Sequence, residues 1–273
     1  MTPSPETNAY PLGTADFEHA RLQRQAVWVA PHTERLFRRA GIGRGERVLE
    51  LGSGVGDVSL ILGRLVGASG EVVGVDREAR SIGRASARMK ELGLDQVRFV
   101  QTDLVELPVD RPFDAGVGRY ILMYVKDPAA VLRDVTRHVR PGGVIAFLDV
   151  TVRSFLDECR GLPLWEASAQ VMTEVFRRSG ANLDMGLELP AAFIGAGLPE
   201  PETETYRLTG SELWMSECLI SLQPQFATLG VSAGHLGELE TLQPRLMDEV
   251  AARGRSVPLP QMVGAWSRVP PRS

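Results

Sequence analysis

The sequence has little of what metal centres and disulfide frameworks need. Its 273 residues include 2 cysteines and 4 histidines. Cys159 and Cys218 lie far apart and form no Cys-x-x-Cys pair. His19, His32, His138 and His235 are scattered, without zinc-ligand spacing, so no metal site is expected. Lysine is nearly missing: Lys90 and Lys126 stand among basic residues that are otherwise arginine. The formal charge of −4 lacks the positive footprint of a nucleic-acid binder. No apolar run approaches the ~18 residues that a membrane helix requires. The segment from Met1 to Gly13 is polar and carries prolines, with no basic patch leading into an apolar stretch, so it does not read as a secretory signal. The expectation is a cytoplasmic protein that binds neither nucleic acid nor membrane.

The composition is ordinary for a globular chain, 44% hydrophobic and 23% charged, and the length suits one large α/β domain. Residues 15–40 read as one or two helices with Phe17, Leu22, Ala26, Val29, Leu36 and Phe37 on the apolar face; Pro31 is a candidate start for a second piece. Strands at 47–51, 71–76, 97–101, 113–118 and 144–150 then alternate with helices at 57–66, 77–92 and 128–139. Such alternation predicts a parallel sheet covered on both faces. The second half reads as helix at 153–179, 187–195, 211–222 and 236–252, with strands at 203–208 and 262–269.

The sharpest motif is Val48-Leu49-Glu50-Leu51-Gly52-Ser53-Gly54-Val55-Gly56-Asp57. A strand runs into a glycine turn that opens a helix, which lets a ligand approach the backbone closely. A dinucleotide fingerprint wants a third glycine where Asp57 stands. Glu50 would repel a phosphate and suits a ligand carrying an ammonium group. Both features weigh against a nicotinamide oxidoreductase. Asp76 ends the second strand, where a carboxylate can accept from both ribose hydroxyls of an adenosine; it could equally cap the next helix. Asp103, after the third strand, can accept from an exocyclic amine or cap a surface turn.

Taken together these residues resemble the class I S-adenosylmethionine (SAM)-dependent methyltransferases. Glu50 to Gly56 resembles that family's glycine-rich motif, Val75-Asp76 its ribose-binding acid, and Asp103-Leu104 its adenine-binding pair. Phe113-Asp114 and the stretch from Arg137 to Phe147 resemble its fourth strand, its Arg-Pro-Gly-Gly turn and its fifth strand. The resemblance implies an α/β, Rossmann-like, doubly wound and mostly parallel seven-stranded sheet with an antiparallel last strand, plus a helical lid. It implies one domain over 1–273, divided into N-terminal lid helices (1–42), a SAM-binding core (43–151), lid insertions (152–183 and 209–258) and remaining core (184–208 and 259–273). SAM is the implied cofactor. The implied cofactor-binding residues are Glu50, Gly52, Gly54, Gly56, Asp76, Arg77, Asp103, Leu104 and Arg119, and Arg119 and Tyr120 would lie near the methyl group.

The implied reaction is in-line methyl transfer to a small organic acceptor. Tyr120, His235 and His19 are the candidate catalytic residues, and Tyr10, His32, Tyr124, Trp165 and Trp214 are further pocket candidates. Each competes with a blander role: an exposed helix residue for the histidines, core packing for the tryptophans. His138 reads as a surface charge near a helix end. Two rivals share the cofactor. A nucleic-acid methyltransferase would commonly carry an Asn/Asp-Pro-Pro-aromatic motif where Gly118-Arg119-Tyr120-Ile121 stands; Arg77, Arg80, Arg84 and Arg88 could form a basic stripe, or simply a solvated face. A non-catalytic SAM-binding protein would keep the same cofactor motifs.

Overall fold

The strand Arg47–Leu51 (β1) is five consecutive buried residues, the mark of a strand covered on both faces. Val48 points into one core and Leu49 and Leu51 into the other. A computed structural model describes residues 16–102 and 111–271 of the chain. Within them β1 lies at the centre of a seven-stranded sheet of order β3-β2-β1-β4-β5-β7-β6. Its other strands are Glu71–Asp76 (β2), Val97–Gln101 (β3), Phe113–Arg119 (β4), Val139–Thr151 (β5), Glu202–Tyr206 (β6) and Gln261–Arg268 (β7). β1 to β5 pair in parallel, and β7 runs antiparallel to both neighbours. The mostly parallel sheet with an antiparallel last strand is therefore present.

The helices are Asp16–Ala40 (α1), Asp57–Val66 (α2), Ala79–Glu91 (α3), Pro128–His138 (α4), Arg153–Cys159 (α5), Pro163–Arg178 (α6), Met185–Gly195 (α7), Ser211–Phe226 (α8) and Leu242–Ala252 (α9). One core joins α1 and α2 to Val48, Val72, Ala146 and Leu148 on one sheet face. The other joins Leu49, Leu51, Ile145 and Phe147 to α4 through α9. Strand order reverses between β1 and β4, and such a switch point opens a crevice at the C-terminal ends of the strands.

Several boundaries differ from expectation. α1 runs unbroken through Pro31. The stretch 153–179 is two helices, parted where Gly161 takes a left-handed conformation that ordinary residues resist. β5 begins at Val139 and passes through Pro141-Gly142-Gly143, with Gly142 N–H donating to the Val269 carbonyl at 2.8 Å. α8 continues past Leu222 through Pro224. The region 236–252 holds α9 preceded by two single 3-10 turns. No helix among the described residues is long and apolar enough to cross a membrane.

Candidate functional site

β1 delivers the chain to Gly52, whose φ of 65° only glycine adopts without strain. A Cβ there would stand 2.7 Å from Ile121 Cδ1. Gly54 differs: it also has positive φ, but nothing lies within 4 Å of where its Cβ would be. The backbone there borders open space, and Gly54 lines a cavity of about 540 Å³.

The turn is tied to the end of β2. Asp76 Oδ2 accepts from Gly54 N–H at 2.8 Å and Oδ1 from Glu78 N–H at 2.9 Å. A carboxylate has about four lone-pair directions, so both oxygens retain capacity toward the cavity that Asp76 lines. Asp76 is not the cap of α3; Glu78 is, accepting from Arg80 N–H at 3.3 Å. Ser53 Oγ is buried without a hydrogen-bond partner among the described residues, and Ser53 also lines the cavity. Beneath the turn Glu50 is 1% exposed and accepts from Ser59 Oγ. Burial pushes its pKa up to about 8, against opposing contributions from Ser59 and Arg119. Asp57, where a dinucleotide site would have glycine, opens α2 and pairs with Arg88. Arg88 thus turns inward and breaks the arginine stripe of α3.

The cavity continues from β4. Tyr120 is the one described non-glycine residue with positive φ, 54°. Its N–H donates to the Leu148 carbonyl at 2.9 Å. Holding a bulky residue there costs ~1–3 kcal/mol and fixes where its ring stands. Arg119 reaches Thr33 Oγ1 on α1 at 3.1 Å. Burial raises the phenol pKa of both Tyr120 and Tyr124, which favours their protonated forms. Beyond them the wall is apolar and aromatic, with Met172 and Phe176 from α6 and Trp214 from α8. α1 contributes Arg21, Leu22, Gln25 and Trp28.

Gly52, Gly54, Asp76, Arg77, Arg119, Tyr120, Tyr124 and Trp214 are thus gathered on one cavity. Gly56 caps α2 behind it, and Glu50 is covered by the turn. His235 is exposed on a 3-10 turn outside the cavity lining. His32 packs against Tyr206 with ring centroids 4.9 Å apart and planes tilted by 46°, outside the cavity lining. Trp165 is fully buried, donates to the Leu246 carbonyl at 3.2 Å and packs edge-on against Phe155, so it is core. Half-buried His138 ends α4. Asp103, Leu104, Tyr10 and the side chain of His19 lie outside the described residues.

Sequence reasoning missed Arg21, Gln25 and Trp28. The signal was the spacing 18, 21, 25, 28, a stripe of polar residues and tryptophan on one helical face. It also missed Thr102, which lines the cavity and donates N–H to the Asp76 carbonyl at 3.0 Å.

Residues 42–183 match the family model of the methyltransferase domain. The chain is 34% identical over 127 residues to "Methyltransferase GfsG" of Streptomyces halstedii, covering 46% of this chain and 45% of that one. It is 37% identical over 108 residues to a 2-phytyl-1,4-naphtoquinone methyltransferase of Synechococcus elongatus, covering 39% and 46%. The matched segments span about half the length of these curated relatives. Among solved structures, the YcgJ protein of Bacillus subtilis aligns over 89% of this chain and 99% of its own with a TM-score of 0.58 at 19% identity. The [4+2]-cyclase SpnF aligns over 88% and 81% with a TM-score of 0.56, also at 19%. At such identities the likeness is one of fold. The family match covers the stretch that builds the glycine turn, the Asp76 strand end and the first five strands, and the chain belongs to the class I SAM-dependent methyltransferases.

Proposed function

We propose that this protein is an enzyme that transfers the methyl group of SAM to a small organic acceptor, and that both molecules occupy the cavity described above. The observation that carries this reading is the cavity's continuity. The glycine turn and Asp76 line it on one side, Met172, Phe176 and Trp214 on another, and the segment from Arg119 to Tyr124 lies between their elements in the chain.

When bound, SAM supplies an activated methyl on a sulfonium, so the chemistry itself is the cofactor's. The residues present suit it. Asp76 accepts from the ribose hydroxyls, Ser53 Oγ finds in the ligand the partner it lacks among the described residues, and the turn at Gly52 and Gly54 lets the methionine portion approach the backbone. Glu50 sets a carboxylate beneath the ammonium group. Arg119 and Tyr120 border the transfer point, where Tyr120 donates a hydrogen bond.

The protein's further contribution is positioning and dryness. Fixing two reactants in line can supply ~7–11 kcal/mol of a barrier. α1, α6 and α8 act as a lid whose apolar lining keeps water from the reacting pair. Among the described lining residues there is no histidine, and the carboxylates Asp57, Asp76 and Glu78 all flank the glycine turn and the end of β2. Among the described residues, the acceptor side thus presents neither a histidine nor a carboxylate.

The test is S-adenosylhomocysteine (SAH) formation from SAM with pooled phenols, carboxylic acids, amines and oligonucleotides as separate acceptors. The proposal expects turnover with a small-molecule pool and none with oligonucleotides. Cofactor binding without turnover in any pool would favour a non-catalytic SAM-binding protein, and turnover with oligonucleotides alone would favour the nucleic-acid rival.

A further inference from the structure

At the end of β4 a positive charge enters the cavity with no described anion paired to it. Arg119 is half-buried and lines the cavity. Its Nη1 donates to Thr33 Oγ1 at 3.1 Å, and its guanidinium lies 5.9 Å from the centre of the Tyr120 ring. Thr33 is fully buried and its own hydroxyl donates to the Val29 carbonyl at 3.1 Å, so its oxygen is held toward Arg119 as an acceptor. Arg119 makes no ion pair among the described residues, and a guanidinium carries five N–H donors, so most of the fork is left for a ligand. The carboxylates on the lining are engaged elsewhere. Asp57 pairs with Arg88, Asp76 accepts from Gly54 and Glu78 N–H, and Glu78 caps α3.

The sheet register says what lies across from this charge. Gly118 on β4 pairs with Leu51 on β1, so Arg119 stands level with Gly52. On the other side of β1, Leu51 pairs with Val75, so Asp76 stands level with Gly52 as well. Asp76 and Arg119 thus flank the glycine turn two strand spacings apart, about 10 Å. A ligand with its ribose over Asp76 and its chain across the turn brings its far end to Arg119. Glu50, beneath the turn, is close enough to feel the guanidinium, yet burial keeps its pKa at about 8, so at pH 7 it does not neutralise Arg119. A half-buried charge without a partner is costly, and a ligand carboxylate matches the planar guanidinium fork.

We propose that Arg119 is the counter-ion of the carboxylate on the methionine portion of SAM, so that the site reads its cofactor as an α-amino acid, with the carboxylate on Arg119 and the ammonium over Glu50. Thr33 orients the guanidinium and ties the recognition to α1, the helix that closes over the site. Arg119 is then a specificity-determining residue: it separates SAM and SAH from adenosine thioethers that lack the carboxylate. This assignment rests on the SAM reading of the cavity and deepens it by naming the group that holds the amino-acid end.

The test is calorimetric titration of the full chain at pH 7 with two ligands, SAH and 5′-deoxy-5′-(3-aminopropylthio)adenosine. The second is SAH without its carboxyl group; it keeps the adenosine, the thioether and the ammonium. The wild type should bind SAH at least about tenfold more tightly, the scale of a charge-assisted hydrogen bond. Arg119→Met should bring the two ligands to within about threefold of each other, by weakening SAH while the decarboxylated ligand binds about as it does to the wild type. A purely structural role for Arg119 would weaken both ligands alike and keep their ratio, which would overturn the proposal. So would a wild type that binds the two equally, a result that needs no variant. A preference for SAH that survives in Arg119→Met would assign the carboxylate to another cation on the lining, Arg21 or Arg77, and overturn it as well. Failure of the wild type to bind SAH at all would instead refute the cofactor reading beneath it.

Discussion

Glu50 is the residue where the proposed ligand role and the fold pull in opposite directions. The glycine turn buries its carboxyl, and burial holds it largely protonated at pH 7, since its pKa stands at about 8. An ammonium group above it would favour the carboxylate and lower that pKa. Binding at pH 7 should therefore release a proton, and affinity should rise with pH towards 8. Calorimetry of SAH binding in two buffers of different ionisation enthalpy reads this directly. The wild type should release at least about half a proton per ligand, and Glu50→Gln none from this site. Equal proton counts in the two proteins would mean that Glu50 does not face the ammonium. The places of Glu50 and Asp76 were legible because each lies near the end of a continuous apolar strand. Arg21 was not, because its place on the cavity wall depends on helices more than a hundred residues away in sequence.

At the scale of elements, the sheet was easier to read than the helices around it. Strands such as Val72–Val75 and Val144–Leu148 are continuous apolar runs that only a doubly covered parallel sheet explains. The second-half helices obey no such constraint, because one face packs on core and another lines a cavity. Pro31 illustrates the difficulty. Local rules end a helix there, yet α1 continues because Val29, Leu36 and Phe37 on either side are buried in the same core. The proline still lacks an N–H for the Val27 carbonyl and lies on the exposed face. Pro31→Ala should therefore stabilise the protein by ~1–3 kcal/mol, read as a higher urea midpoint with the m-value unchanged. A lower midpoint would mean that α1 is kinked there to good purpose. Pro224 and Gly161 follow the same logic in opposite directions: packing carries α8 through a proline, while a left-handed glycine splits α5 from α6.

Among the described residues two fully buried carboxyl groups, Glu50 and Asp149, have pKa values that burial raises to about 8. Each is protonated in the folded state and ionised in the unfolded chain between about pH 4 and pH 8. In that window the folded protein binds more protons, so stability falls as pH rises and levels off above about 8. The urea midpoint without ligand should accordingly be higher at pH 5.5 than at pH 8.5, and Asp149→Asn should flatten the slope. A midpoint that rises across the window would refute the burial of these groups. Ligand binding that draws a proton from Glu50 couples this stability to the cofactor, so the pH dependence should change once SAH is present.

The central claim is that the glycine turn and Asp76 form a SAM site. It is tested most directly by calorimetric titration of the protein with SAH, in parallel with NAD and with the Asp76→Ala variant. The account predicts clear SAH binding, weakened at least about tenfold in the variant because charge-assisted hydrogen bonds worth roughly 1.5–3 kcal/mol are lost, and no binding of NAD. SAH that fails to bind, or NAD that binds in its place, would contradict it.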